Sequence, residues 1–171
     1  MNTSAHDFWL TAWQQVIRAN NDKKHDFRTP VISTVTKDGF PHARTVVMRK
    51  ADNDNYELWM YTDSRSAKFS ELGLQSSKEN KQKQSSNSVP LGSQLHWLFW
   101  SPRKKIQLGT GGPVHLLSEI ETDKLFQQLP KHGRKTYATI LPPGSLQTNV
   151  TDGLPENWGE LDLADTDYAR N

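Results

Sequence analysis

Six short β-prone segments, separated by turn residues, constrain the fold of this chain more than any other feature of its sequence. They span residues 30–36, 42–49, 56–62, 95–100, 104–110 and 114–117. The first two flank Asp38-Gly39, a dipeptide typical of tight β-hairpins, and the last two flank Gly111-Gly112-Pro113. Because short strands joined by tight turns pair antiparallel, the pattern predicts a mainly β, α+β fold in which helices flank a small antiparallel barrel.

Helical periodicity is present in two segments that begin with a capping box. Residues 4–20 begin with Ser-x-x-Asp and residues 118–129 begin with Ser-x-x-Glu, so in both a hydroxyl can accept a backbone N–H at the helix start. A shorter helix is predicted over residues 64–72, because Gly73 follows the last apolar position. The barrel is therefore expected to carry two longer helices and one short one.

One segment departs from the composition of the rest. Residues 75–93 consist mostly of Ser, Lys, Gln and Asn, with Val89 and Leu91 as the branched apolar residues. Such a segment cannot bury enough apolar surface to offset the entropy lost on ordering, so it is predicted to be a mobile, low-complexity loop. A length of 171 residues fits one domain, and residues 1–171 are predicted to form a single domain that carries this loop.

Composition excludes several classes of protein. The chain has no cysteine, which excludes a disulfide scaffold, a Cys-ligated metal site and thiol catalysis. Its six histidines show no metal-ligand spacing, so no metal site is predicted. No apolar run approaches the ~20 residues that cross a bilayer, and the N-terminus lacks a signal pattern. A cytoplasmic protein without membrane contact is therefore expected.

Basic residues cluster at three places that this topology could bring together, namely residues 44–49, 62–68 and 103–105. The middle group joins a predicted strand to the start of a helix and contains hydroxyls as well as two cations. A hydroxyl, two cations and the free N–H groups of a helix start are the donors that a phosphate dianion needs. The alternative is that each cation is an ordinary solvated side chain, because isolated Lys and Arg are mostly exposed.

Four motifs, in this order along the chain, resemble the pyridoxamine 5′-phosphate oxidase-related, FMN-binding split-barrel family. They are Arg44-Thr45-Val46-Val47-Met48-Arg49, then Tyr61-Thr62-Asp63-Ser64-Arg65-Ser66-Ala67-Lys68, then Leu95-His96-Trp97-Leu98-Phe99-Trp100 with Arg103-Lys104-Lys105-Ile106-Gln107-Leu108, and last Arg134-Lys135-Thr136-Tyr137 with Pro142-Pro143-Gly144. The last of them is similar to a branch of short flavoproteins. The resemblance covers about residues 30–145.

The resemblance implies a homodimer of split barrels with two FMN molecules at the interface. The cofactor-binding residues that it implies are Arg44, Thr45, Val46, Val47, Arg49, Tyr61, Thr62, Arg65, Ser66, Lys68 and Lys105. Arg44, Ser66 and Lys68 would hold the FMN phosphate, with Arg65 in place of an arginine that the family carries beside the lysine. The others would line the ribityl chain and the ring, and Lys105 would reach the flavin from the partner subunit.

By the same resemblance, the chain is expected to be an oxidoreductase that acts on an unknown small molecule. Arg49 and Arg134 are the expected substrate contacts. Oxidation of pyridoxine or pyridoxamine 5′-phosphate is the first alternative. Against it, the family's substrate-phosphate donors are replaced here by Leu125, Leu129 and Gly133, and the chain does not end in the family's Arg-x-His pair.

A small nucleic-acid-binding β-barrel is the second alternative, because Ser101-Pro102-Arg103-Lys104 is similar to basic minor-groove elements. Against it, β-prone segments surround this motif, whereas minor-groove arms are disordered. The net charge of +2 is also too small to indicate a nucleic-acid partner. The expected partners are therefore a second copy of the chain and a small-molecule substrate.

Overall fold

The computed structural model describes residues 4–74 and 94–159, which divide into two compact units. The first unit comprises residues 4–61 and 94–113, and the second comprises residues 62–74 and 114–159. The loop predicted at residues 75–93 lies outside the described residues. That residues 1–171 form a single domain stays a prediction.

The first unit begins with helix α1, Ala5–Asn21, whose capping box was predicted from the sequence. Ser4 Oγ accepts the backbone N–H of Asp7 at 3.1 Å, and the Asp7 carboxylate accepts the N–H of Ser4 at 3.1 Å. These bonds satisfy donors that a helix start otherwise leaves without partners. The buried side chains of this helix are Ala12, Trp13, Gln15, Val16 and Ala19. A 3₁₀ turn, Asp26–Arg28, follows the helix.

All the described strands lie in the first unit and pair antiparallel. They are β1 (Val31–Val35), β2 (Pro41–Thr45), β3 (Lys50–Asp52), β4 (Glu57–Trp59), β5 (Gln94–Ser101) and β6 (Ile106–Pro113). Four form a sheet in the order β2-β1-β5-β6, and the other two form the pair β3-β4. In the register of the central strands, Val31 of β1 lies opposite Thr45 on β2 and opposite Leu98 on β5. The antiparallel pairing and the α+β class predicted from the sequence are therefore confirmed.

The hairpin predicted at Asp38-Gly39 joins β1 to β2. Gly39 has φ +82°, in the left-handed region that glycine enters without a steric penalty. The predicted return strand is shorter than expected, because the chain leaves the ladder after Thr45. The N–H of Val46 donates to the carbonyl of Pro30 at 2.9 Å, and the N–H of Met48 donates to that of Arg28 at 3.0 Å.

The prediction of two strands around a Gly111-Gly112-Pro113 turn is wrong. Residues 106–113 form the single strand β6, which pairs with β5 along its whole length. The glycine is needed for close approach, because a Cβ on Gly111 would lie 2.9 Å from the carbonyl oxygen of Leu95. Small residues therefore bring the two strands together here, and residues 114–118 form no strand.

The two faces of the four-stranded sheet differ in chemistry. On β5 the buried residues Leu95, Trp97, Phe99 and Ser101 alternate with residues that face outward. Residues directly opposite on paired strands share a face. The register therefore assigns to the outward face Val31, Ser33, Val35, Pro41, Ala43, Thr45, Gln94, His96, Leu98, Trp100, Gln107, Gly109, Gly111 and Pro113. None of these is Lys, Arg, Asp or Glu, and we refer to them as the uncharged face.

The second unit is helical in its described part. It contains α2 (Ala67–Glu71), α3 (Glu119–Gln128), α4 (Lys131–Arg134) and a 3₁₀ turn, Lys135–Tyr137. The predicted capping box opens α3, since Ser118 Oγ accepts the N–H of Glu121 at 3.3 Å and the Glu121 carboxylate accepts that of Ser118 at 3.2 Å. Helix α2 starts later than predicted, because the N–H of Ser66 donates to the carbonyl of Asp63 in a turn that precedes the helix.

Candidate functional site

Three polar side chains of the second unit meet at the start of α2. Lys68 Nζ donates to Thr62 Oγ1 at 2.9 Å and to Ser66 Oγ at 3.3 Å, and the two hydroxyl oxygens lie 3.1 Å apart. Ser66 precedes the helix, and its hydroxyl donates to the carbonyl oxygen of Asp63 at 2.7 Å. We call Thr62, Ser66 and Lys68 the hydroxyl–ammonium cluster.

The local sequence explains how this cluster forms. The Asp63 carboxylate accepts the backbone N–H of Arg65 at 2.8 Å and so folds the segment before α2 into a turn. The turn brings the hydroxyls of Thr62 and Ser66 together, and Lys68 follows within α2. An ammonium beside two hydroxyls is a donor set that phosphate oxygens accept, so the cluster fits the phosphate of a nucleotide cofactor.

Arg65 is held by its neighbours in the second unit. Its Nε donates to Asp63 Oδ1 at 3.0 Å and its Nη2 donates to Asp63 Oδ2 at 2.7 Å. Nη2 also donates to the carbonyl oxygen of Thr139 at 3.0 Å. Hydrogen bonding to the carboxylate raises the pKa of Arg65 above its ordinary value. This geometry favours a structural role for Arg65, which ties the turn to the segment at Thr139.

Arg44 lies in the first unit, on the core side of β2. It is opposite Ile32 in the register, and its Nη1 donates to the buried hydroxyl of Thr34 at 2.6 Å. The guanidinium is half-buried, so less water screens it from an anion than at an open surface. The next predicted site residues, Thr45, Val46 and Val47, lie where the chain leaves the β2 ladder.

Arg49 lies over the ring of Tyr61, also within the first unit. Its guanidinium carbon is 5.3 Å from the ring centroid, and its backbone N–H donates to the carbonyl of Trp59 at 2.8 Å. A guanidinium over an aromatic face is a favourable cation–π arrangement. Arg28 carries a second cation of this unit, and its pKa is lowered, first by burial and then by the charge of Arg49.

Lys105 lies in the turn between β5 and β6, where its φ of +54° is left-handed and its side chain is exposed. Two other cations of this turn have partners within the first unit. Arg103 Nη2 donates to Asp26 Oδ1 at 3.0 Å, and Lys104 Nζ donates to the side-chain oxygen of Gln15. Because these cations have protein partners, the geometry argues against the nucleic-acid-binding alternative, which depended on them.

Arg134 belongs to the second unit and is 5% exposed. Its Nε donates to the carbonyl oxygen of Leu129 at 3.0 Å, and its Nη2 donates to that of Gln127 at 2.7 Å. The guanidinium carbon lies 5.0 Å from the ring centroid of Phe126. Arg134 thus satisfies carbonyl groups at the C-terminus of α3, and this geometry favours a structural role for it.

The predicted site residues are therefore distributed over both units. The first unit contains Arg44, Thr45, Val46, Val47, Arg49, Tyr61 and Lys105, and the second contains Thr62, Arg65, Ser66, Lys68 and Arg134. Within a unit, the structure brings together the hydroxyl–ammonium cluster and, separately, the pair of Arg49 and Tyr61. In residues 4–74 and 94–159 no three His, Asp or Glu side chains are grouped to hold a metal ion. No helix in the same residues has the length and apolar content to span a membrane.

Sequence reasoning missed the contact between Asp26 and Ser101, whose Oδ2 and Oγ atoms lie 2.6 Å apart. It also missed Arg28, whose Nη1 donates to the carbonyls of Ala19 and Asn20 at the end of α1. The first pair is separated by 75 positions and no local pattern marks it. The signal for Arg28 was a cation just beyond the end of a predicted helix.

Comparisons with known proteins identify the family and the fold of this chain. A model of the family described as "Pyridoxamine 5'-phosphate oxidase, FMN-binding domain" matches residues 6–118. A search of curated proteins found no match.

Two solved structures share the fold. One is a pyridoxamine 5′-phosphate oxidase-related, FMN-binding protein from Nostoc punctiforme PCC 73102, with a TM-score of 0.60 and 20% identity over 88% of this chain and 70% of that one. The other is PhzG from Burkholderia lata 383 in complex with tetrahydrophenazine-1-carboxylic acid, with a TM-score of 0.57 and 16% identity over 86% of this chain and 62% of that one. The predicted split β-barrel fold with flanking helices is confirmed.

Proposed function

Because the chain belongs to the pyridoxamine 5′-phosphate oxidase FMN-binding domain family, we propose that it is an FMN-dependent oxidoreductase acting on a small molecule. The observation that carries the proposal is the family match over residues 6–118, which include the hydroxyl–ammonium cluster and Arg49. FMN is the cofactor of this family, and when bound it supplies hydride or electron transfer. The residues of the chain supply binding, orientation and charge.

The hydroxyl–ammonium cluster is proposed to bind the FMN phosphate. Lys68, Ser66 and Thr62 already hydrogen-bond to one another, so their donors are ordered before a ligand arrives and less conformational entropy is lost on binding. A charge-assisted hydrogen bond of this kind contributes about 1.5–3 kcal/mol. By the family resemblance Arg44 is proposed as a further phosphate contact, whereas Arg65 is proposed to support the cluster by holding the turn.

The pair of Arg49 and Tyr61 is proposed to line the ring edge and the substrate. Stacking on Tyr61 orients the Arg49 guanidinium, which can then attract an anionic group of the substrate. The backbone of residues 45–47 is proposed to run along the ring. Lys105 of the partner subunit is proposed to place a positive charge near the ring and so to favour its reduced, anionic form.

A symmetric homodimer is part of the proposal, and the uncharged face supports it. On this face Val35 is 56% exposed and Trp100 is 47% exposed. The residues opposite them in the register, Pro41 and Gln107, carry no charge. Aromatic residues and an absence of charge are typical of the buried centre of an interface between subunits. Light scattering should give twice the mass of the chain, and a monomer that still binds FMN would contradict the dimer. A cytoplasmic location is proposed with it.

Oxidation of pyridoxine or pyridoxamine 5′-phosphate is the less favoured activity. Leu125, Leu129 and Gly133 offer no side-chain donor to a substrate phosphate. Arg134 follows Gly133 directly in sequence, and its guanidinium is buried against carbonyl oxygens and Phe126. A substrate phosphate without paired donors is costly to place in a closed site.

The direct test of the proposal is the purified protein itself. We expect it to be yellow and to release FMN on denaturation, identified by chromatography against FMN, FAD and riboflavin. Apoprotein should quench the fluorescence of added FMN with a stoichiometry of one per chain. A colourless protein that binds no added FMN would contradict the proposal. Anaerobic bleaching of bound FMN by candidate substrates would then identify the reductant.

A further inference from the structure

The 3₁₀ turn after α1 holds the turn between β5 and β6. Asp26 accepts the hydroxyl of Ser101 at 2.6 Å and the Nε and Nη2 groups of Arg103 at 3.2 and 3.0 Å. Ser101 is the buried last residue of β5, and its hydroxyl accepts the backbone N–H of Lys104 at 3.2 Å. One carboxylate therefore fixes both a side chain and, through Ser101, the backbone of this turn.

Lys105 ends the turn with a left-handed backbone at φ +54°. A residue with a Cβ adopts this conformation at a cost in free energy, so neighbouring contacts must offset it. The contacts of Asp26 with Ser101 and Arg103, and the bond from Lys104 Nζ to Gln15 on α1, hold the residues that precede Lys105 in this turn. Because this residue reverses the chain into β6, its conformation sets the direction in which the exposed Lys105 side chain leaves the turn.

We propose that Asp26 is a positioning residue for Lys105, and that by fixing this turn it allows Lys105 to favour reduced FMN. The inference rests on the proposed function, which places Lys105 at the flavin of the partner subunit. Asp26 acts as an anion in this role. Its pKa is lowered, first by the hydrogen bond from Ser101 and then by that from Arg103, so the carboxylate is ionised at neutral pH.

The first experiment is a double-mutant cycle on the holoprotein, read as the midpoint potential of bound FMN. Lys105→Ala should reduce the preference for reduced over oxidised FMN by about tenfold, or ~30 mV for a two-electron couple. Asp26→Asn should reduce it by about threefold, or ~14 mV. The midpoint potential of the double variant should equal that of Lys105→Ala. Asp22→Asn is the matched control for loss of a nearby negative charge, because the Asp22 carboxylate accepts the N–H of Lys24 and acts on Arg103 through its charge. It should leave the potential unchanged.

Two outcomes would overturn the proposal. A midpoint potential of Asp26→Asn equal to that of the wild type would show that the contacts of Asp26 with Ser101 and Arg103 do not affect the flavin. An Asp26→Asn effect that persists when Lys105 is alanine would show that Asp26 acts by another route. If Asp26→Asn does not fold, Arg103→Gln replaces it, since the Arg103 side chain is 69% exposed and its loss leaves the core intact. Lys105→Ala without effect would overturn both this inference and the proposed role of Lys105.

The second experiment does not depend on FMN and so separates the inference from the proposed function. Limited trypsin digestion measures how readily the peptide bonds after Arg103, Lys104 and Lys105 are cleaved, and an ordered turn slows this cleavage. Asp26→Asn should be cut in this turn at least threefold faster than the wild type and Asp22→Asn. Equal rates would overturn the positioning role even in a protein that binds FMN, and faster cutting would support it even in a protein that binds none.

Discussion

The Asp63 carboxylate and the Arg65 guanidinium form an ion pair with three hydrogen bonds, although the residues are only two positions apart. Asp63 is 7% exposed and therefore depends on this partner. Removing one member of a buried pair leaves the other without compensation for its lost hydration. The pair is thus expected to stabilise the turn that precedes α2.

Arg65→Ala should lower the free energy of unfolding by about 1–3 kcal/mol, because it leaves the buried Asp63 carboxylate unpaired. Urea denaturation measures the loss. The Asp63→Ala/Arg65→Ala double variant should recover part of it. The affinity ratio of FMN to riboflavin should fall less than in Lys68→Ala, because Arg65 holds the turn of the cluster without touching the phosphate. A fall as large as that of Lys68→Ala would show that Arg65 binds the phosphate directly.

Lys68→Ala should weaken FMN about tenfold or more while leaving riboflavin binding unchanged, because a lost charge-assisted contact contributes about 1.5–3 kcal/mol. Titration of apoprotein with both flavins, followed by fluorescence, measures the ratio. Lys124→Ala is the matched control, since Lys124 is an exposed lysine of α3 in the same unit. An equal loss of affinity for FMN and for riboflavin in Lys68→Ala would contradict a contact between Lys68 and the phosphate.

Gly111→Ala should destabilise the protein by about 1–3 kcal/mol, because its new Cβ would meet the carbonyl oxygen of Leu95 at 2.9 Å. Gly112→Ala is the control next to it. A Cβ at Gly112 meets nothing within 4 Å, so the free energy of unfolding of this variant should lie within about 0.5 kcal/mol of the wild-type value. Equal urea midpoints for the two variants would mean that the strands can separate at no cost.

The contribution of Asp26 to stability should depend on pH. Its pKa is lowered in the folded protein, so the carboxylate stabilises the fold above its unfolded pKa, about 3.9, and this contribution is lost as the pH falls through the folded pKa. The difference in urea midpoint between wild type and Asp26→Asn should therefore be present at neutral pH and shrink below about pH 4. If the difference in urea midpoint were as large at pH 2 as at neutral pH, the ionised carboxylate of Asp26 would not be the source of the stabilisation.

Pyridoxine 5′-phosphate and pyridoxamine 5′-phosphate should bleach bound FMN slowly, because the positions of Leu125, Leu129 and Gly133 give the substrate phosphate no donors. Anaerobic stopped-flow absorbance of the flavin measures the rate. Rapid bleaching at micromolar substrate would show that other donors hold the phosphate. Arg49→Ala and Arg134→Ala would then separate the two candidate contacts.

Local patterns in the sequence predicted the local structure well. The capping boxes at Ser4 and Ser118 and the hairpin at Asp38-Gly39 are confirmed, because each depends on bonds within a few residues. The glycines of β6 were misread as a turn, since a sequence does not show which backbone approaches Gly111. Close approach between strands is a tertiary property, and it overrides local turn preference.

The sequence predicted which types of residue form the candidate site better than it predicted the role of each residue. Thr62, Ser66 and Lys68 come together as their close spacing around a helix start suggested. Arg65 and Arg134 had the right charge for ligand contacts, but carboxylate or carbonyl groups within the second unit accept their donors. A cation's sequence context does not show which acceptor it will find, and only the folded chain decides this.

The proposed homodimer would bury the uncharged face and would therefore make the stability of this protein depend on its concentration. A face that is covered only by association is exposed to water when subunits are scarce, so folding and assembly would share one free energy. The unfolding temperature should then rise with protein concentration, and dilution should favour release of the flavin together with loss of structure. How much of the chain a cell holds would set how much of it is active.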